Sequence, residues 1–198
     1  MNQPVRLVAP EEQARANFYA LLARLFYAAP VKDLLKALAS ADELDAEDET
    51  LAARWRELIA AAALTDTAAV QEEYDAAFVG TGKASITLYS AAYSLRYTNE
   101  TPLAALRADL AALGLARRES AGEPEDHIAG LCDTMRYLIA EQQRPLEEQR
   151  RFYDRWIKPN YEPLCAAIEK SELTSFYKAV ARMAKAFFSL EQAAFEML

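Results

Sequence analysis

Glycine is scarce in this chain. Five glycines in 198 residues leave few places for the tight turns that a sheet-rich fold needs. Long β-branched runs are lacking too, and alanine, leucine, glutamate, arginine and lysine fill the space between. These are strong helix formers, so composition alone points to an all-α chain. Histidine occurs once and cysteine twice, at Cys132 and Cys165, with no CxxC. That is too few ligands for a classical structural zinc site and too few thiols for a disulfide scaffold, and a reducing cytoplasm is the simplest home. Basic residues are outnumbered 22 to 30, a net charge of −8, which argues against a nucleic-acid partner and suits a basic one. No segment approaches about 18 uninterrupted apolar residues, so stable membrane insertion is not expected. The first residues, MNQPVRLVAPEEQ, lack a positive region followed by an apolar one and do not read as a signal peptide.

What is present is helical periodicity in a length that suits one domain. Pro10, followed by Glu11 and Glu12, predicts a helix start, with an apolar stripe of Ala14, Phe18, Leu21, Leu22 and Leu25 that ends before Pro30. A short helix is expected over 31–39, an acidic link over 42–49, and a third helix over 51–64. Asp66 is placed to cap a fourth that reaches Val79. Gly80 stops the pattern. Residues 80–92, GTGKASITLYSAA, have no helical period and little charge, too apolar for a solvated linker. Thr101 and Pro102 start a helix over 103–113 that Gly114 ends. A charged link follows, with Arg117, Arg118 and Glu119, and residues 115–123 are the best place for a hinge between two halves. Pro124 is expected to open the next helix, and Pro145 and Pro159 to break up the stretch after it. The last helix should bury Phe176, Val180, Met183, Phe187, Leu190 and Ala194.

Few residues suggest bond-making chemistry. Gly80-Thr81-Gly82-Lys83 resembles a phosphate loop, but G-x-x-x-x-G-K-S/T fails at Ala77 and Ala84, and a helix precedes it. A helix C-cap followed by a turn explains it better. Cys132 and His127 are five apart, a poor spacing for a nucleophile and its base, and Cys132 shares a stripe with Ile128, Met135 and Ile139. The informative stretch is Glu123-Pro124-Glu125-Asp126-His127. Capping explains much of it, since proline with acids behind it is an ordinary helix start. Beyond capping, His127 is the one histidine, and Gly130 lies inside a helix, where glycine costs about 1 kcal/mol relative to alanine. With Thr134, these residues would frame a polar notch in which Asp126 receives a guanidinium. Tyr74, Phe78, Tyr89, Tyr93 and Tyr97 form an aromatic set. Singly they would pin the loop to the core, and together they suit a peptide groove.

At these residues the chain resembles the TorD/DmsD family of molybdoenzyme chaperones. EPEDH (123–127) is similar to that family's E-P-x-D-H signature. Residues 74–80, YDAAFVG, resemble its aromatic-x-x-L-F-x-G element; Leu88, Tyr89, Ser90 and Tyr93 resemble P-Y/W-E/G-S-x-Y/W; and residues 175–179 resemble the F-Y start of its final helix. Departures fall at Ala77, Thr81, Leu88 and the pair Pro159-Asn160, around the presumed groove. The resemblance implies an all-α, single globular helical bundle of about ten helices, without catalytic residues, cofactor or metal, as a monomer or domain-swapped homodimer. It implies a cytoplasmic chaperone for the twin-arginine signal peptide and/or apo catalytic subunit of a molybdopterin oxidoreductase, assisting cofactor insertion and preventing premature export. On that implication Asp126, His127, Glu123, Pro124, Gly130, Tyr74, Phe78, Gly80, Tyr89, Ser90 and Tyr93 bind the peptide. The alternatives are a nucleotide-dependent (GTP-binding) switch using Lys83 and His127, or a NarJ-like assembly adaptor for a non-exported reductase.

Overall fold

The computed structural model describes residues 8–45, 48–80, 84–94, 102–118 and 122–198. Thr81, Gly82, Lys83, Tyr97, Thr101 and Glu119, which figure in the expectations above, lie outside them. Among the described residues the regular elements are helices: α1 (Pro10–Tyr27), α2 (Lys32–Ala39), α3 (Glu49–Ala63), α4 (Thr67–Tyr74), α5 (Ala91–Ser94), α6 (Pro102–Ala112), α7 (Ile128–Ala140), α8 (Leu146–Phe152), α9 (Lys158–Lys170) and α10 (Phe176–Glu196). The all-α expectation holds.

Local chemistry sets the boundaries. Pro10 stands in the first turn of α1. The Asp48 carboxylate accepts the Leu51 N–H at 2.7 Å, and the Asp66 carboxylate accepts those of Ala68 and Ala69, both at 2.9 Å. Gly114, at φ +76°, lets the Leu115 N–H turn back onto the Leu110 carbonyl and close α6. Two helices widen rather than stop. α4 continues into a π turn over Asp75–Val79, and α8 into another over Tyr153–Ile157 that leads directly into α9. The expected break at Pro159 therefore does not occur. The wider turn hands the chain to α9 just before the proline, and the Asn160 side-chain amide donates to the Trp156 carbonyl at 2.7 Å.

The core sits where α1 lies along α7, and where α10 packs on α9 and α3. Tyr19, Leu22 and Phe26 of α1, Leu131 and Met135 of α7 and Phe188 of α10 are all buried in one cluster. Two expected stripes are rotated. Ala14 is exposed and α1 buries Ala16 and Tyr19 instead, with Phe18 and Leu21 half-buried against the core. On α10, Phe176, Val180, Met183 and Phe187 are buried, but Leu190 is 38% exposed and Ala194 is outside; Glu191 and Phe195 take the inner positions. The reason is polar. The Arg15 guanidinium forks onto the Glu191 carboxylate with both contacts at 2.7 Å, and Tyr19 donates its hydroxyl to the same carboxylate at 3.0 Å. Gln149 and Glu12 complete this network across α1, α8 and α10.

Candidate functional site

The aromatic elements come first, because they fix the loop that reaches EPEDH. The last carbonyls of α1 have no partners within the helix. Tyr74 donates its hydroxyl to the carbonyls of Phe26 (3.1 Å) and Tyr27 (2.9 Å), and Tyr177 donates to that of Leu25 (2.9 Å). Phe78 packs on both tyrosines, with ring centroids 5.2 and 4.9 Å away. The Glu73 carboxylate gathers the N–H groups of Ser175, Phe176 and Tyr177 at 2.7–3.0 Å, capping α10 from another helix. Tyr74 and Phe78 thus stand in the core and tie α1, α4 and α10 together.

The π turn ends at Gly80, which takes φ +66°, a conformation that suits glycine. The chain then folds back, and the Ile86 N–H donates to the Ala77 carbonyl at 2.9 Å. This return delivers residues 88–91 to EPEDH. Ile128 donates its N–H to the Leu88 carbonyl (2.8 Å), and Ser90 donates to the Asp126 carbonyl (2.9 Å), an antiparallel bridge centred on Tyr89 and His127. The Asp126 carboxylate accepts the Ala91 N–H at 3.3 Å, at the start of α5. Tyr89 donates its hydroxyl to the Glu123 carboxylate at 2.5 Å and stands edge-on to the His127 ring, centroids 5.3 Å apart. Tyr93, half-buried, donates to the Thr87 carbonyl at 2.9 Å.

EPEDH itself is a turn followed by a cap. The His127 N–H closes back on the Pro124 carbonyl at 3.2 Å, so Pro124 precedes α7 and does not open it. His127 is extended, at φ −63° and ψ 134°, which lets it bridge to Tyr89 and cap α7 together. Its Nδ1 accepts the Ala129 N–H at 3.2 Å, which leaves the ring neutral with its proton on Nε2. Burial lowers the His127 pKa, against the opposing pull of Glu123 and Asp126. His127 is buried, 3% exposed. A Cβ on Gly130 would stand 3.2 Å from the Glu125 carbonyl oxygen. The close approach that this glycine permits is made by the chain's own turn, and the expected notch is filled there. Thr134 turns its hydroxyl onto the Gly130 carbonyl.

The outer rim carries charge. The Glu125 carboxylate, with a side chain only 11% exposed, receives a two-pronged contact from Arg107 of α6, Nε at 3.0 Å and Nη2 at 3.1 Å. That hydrogen bond and charge hold Glu125 below its ordinary carboxylate pKa. Arg117 donates to the Glu123 carbonyl at 3.2 Å. The hydrogen bond to Glu123, with burial, pushes the Tyr89 hydroxyl up to about 12; burial, with Glu123 and Tyr89 nearby, does the same for Tyr74. Sequence reasoning did not single out Arg107, Arg117 or Glu125 as members of the site. The only signal available was that Glu125 fills the variable position of E-P-x-D-H, because the arginines come from a helix and link whose folding onto the motif no spacing reveals.

The other residues of interest fall elsewhere. Cys132 and Cys165 are buried, and burial pushes both thiols up, Cys165 to about 12, which leaves them poor nucleophiles. Among the described residues no group of three or more His, Cys, Asp or Glu side chains could hold a metal ion. A groove of about 780 Å³ runs along α4 and its π turn, lined by Gln71, Glu72, Asp75, Val79 and Gly80.

The nitrate reductase delta subunit family model matches residues 41–166, a span that includes the aromatic loop and EPEDH. The chain belongs to this family. It is a family of NarJ/TorD-like chaperones, which serve the maturation of molybdoenzymes and are not themselves catalysts. A solved structure described as a redox enzyme maturation protein, from Archaeoglobus fulgidus, has the same fold, with a TM-score of 0.56 over 96% of this chain and 98% of that one at 16% identity. No curated protein gives a significant match. Among the described residues no helix is long and apolar enough to cross a membrane.

Proposed function

We propose that this family member binds the twin-arginine signal peptide of a molybdopterin oxidoreductase, together with or instead of its apo catalytic subunit, and holds the client in the cytoplasm until cofactor insertion is complete. One observation carries the reading: the Tyr89–His127 bridge sets an amphipathic tyrosine and the Glu123 carboxylate at the rim of the family-like motif. The expected peptide-binding residues then divide by task. Glu123, Pro124, Tyr89 and Tyr93 reach the rim and meet the client. Asp126, His127, Ser90 and Gly130 lie under it and hold the loop and the turn in register. Tyr74, Phe78 and Gly80 shape the return of the loop. Acidic groups beside aromatic rings suit a segment that begins with guanidinium groups and continues with apolar side chains. The net charge of −8 favours encounter with such a segment. No bond-making step is required, and the link over 115–123 would act as the hinge in either a closed monomer or a swapped dimer.

The test is capture of the client from the source cell, followed by calorimetry with its N-terminal segment. A molybdoenzyme subunit bearing a twin-arginine signal, with affinity residing in that segment, is the expected result. The family model's own description favours a second reading, a NarJ-like assembly adaptor for a reductase that is not exported. A client without such a signal, bound through its mature chain, would establish that reading instead.

A further inference from the structure

Two of the chain's own guanidinium groups already stand at EPEDH. Arg107 takes Glu125 with the planar two-pronged contact that a client arginine would use, and Arg117 donates to the backbone of Glu123. We infer that Arg107 is an internal competitor: it occupies the Glu125 carboxylate in the free protein and yields it to an arginine of the bound peptide. The inference rests on the reading of EPEDH as the peptide site and adds its regulation.

The asymmetry of the pair supports exchange. The Glu125 side chain is 11% exposed and is held in place by its turn, whose carbonyl lies against Gly130. Arg107 is 55% exposed at the end of a long side chain and can swing into water. Its helix need not move. Leu106 and Leu110 are buried, and Asp109 accepts the Trp156 indole N–H at 2.8 Å and an Arg155 guanidinium N–H at 3.0 Å. What remains when Arg107 leaves is a preformed carboxylate with its fork geometry vacant, which a lysine fills less well than an arginine. Self-occupation lowers the fraction of molecules ready to bind, and so weakens every segment that needs this carboxylate by the same factor.

The experiment titrates a synthetic peptide, two adjacent arginines followed by an apolar run, into the full chain, with the same peptide carrying two lysines as control. If Arg107 holds Glu125 in most free molecules, Arg107→Gln should tighten the arginine peptide about three- to tenfold, through a larger competent fraction. It should tighten the lysine peptide by a similar factor from a weaker starting affinity, and Arg107→Lys should fall between the wild type and Arg107→Gln. Glu125→Gln should weaken binding, and in the double variant the gain from Arg107→Gln should vanish. Arg107→Gln with unchanged or weaker affinity, while Glu125→Gln and Asp126→Ala still weaken binding, overturns the competition and leaves EPEDH as the peptide site. Equal affinity in all these variants overturns both.

Discussion

Two arginine–carboxylate forks in this molecule have the same chemistry and opposite settings. Arg15 and Glu191 meet deep between α1 and α10, with side chains 19% and 4% exposed, and Tyr19, Glu12 and Gln149 complete their hydrogen bonds. Burial works against the Arg15 charge, but the Glu191 bond and charge, with Glu12, keep its pKa raised. Arg107 and Glu125 meet at a rim, with the cation half in water. Depth decides what each can do. A buried ion whose partner is removed is left uncompensated, whereas an exposed pair opens at small cost because water replaces the partner. The inner fork is a structural clamp, and the outer one is an exchangeable contact.

The comparison breaks most visibly at Glu191. Glu191→Ala should lower unfolding stability by about 3 kcal/mol in urea titrations, because the largely buried Arg15 loses its two-pronged partner and keeps only the part-exposed Glu12. A loss no greater than for an exposed pair would make the two forks equivalent. Asp126→Ala is expected next. It removes the carboxylate that holds the Ala91 N–H and should weaken peptide binding by about 1–3 kcal/mol in calorimetry below the melting transition. Glu73→Ala deprives three N–H groups of α10 of their acceptor and should cost about 1–2 kcal/mol of stability, with peptide affinity unchanged.

A smaller effect follows from His127. Burial depresses its folded pKa below the ordinary 6.5, so the unfolded chain takes up a proton first as the pH falls. Its contribution to stability is complete above pH 6.5 and declines from there toward the folded pKa. Denaturant midpoints measured across that window should fall with pH for the wild type, and less steeply for His127→Asn, which retains a capping oxygen. The smallest effect is expected for Arg107→Gln, whose melting temperature should fall by only a few degrees at most, because the guanidinium it removes is exposed.

Much of the fold was legible because caps and helical periods act within a few residues. Asp66 caps α4 as its position implied, and Gly114 ends α6. What was hidden depended on partners distant in sequence. The stripe on α10 misplaced Leu190 because the helix turns Glu191 inward to Arg15, 176 residues away. Pro159 did not break its helix because a π turn absorbs the change of register. At the site, the motif residues were visible as a string, but their arrangement was not. Nothing in EPEDH states that His127 caps α7, or that Gly130 makes room for the Glu125 carbonyl. The extended loop that bridges to His127 has no periodicity of its own to announce it.

The most direct test of the account is a map of backbone amide shifts as the two-arginine peptide is titrated into labelled protein. The account predicts that changes concentrate at Tyr89, Ser90, Ala91, residues 123–129 and Arg107, while the amides of Arg15 and Glu191 stay in place. Shifts centred on the Arg15–Glu191 clamp, or on any face that leaves Tyr89 and residues 123–129 unmoved, would contradict it.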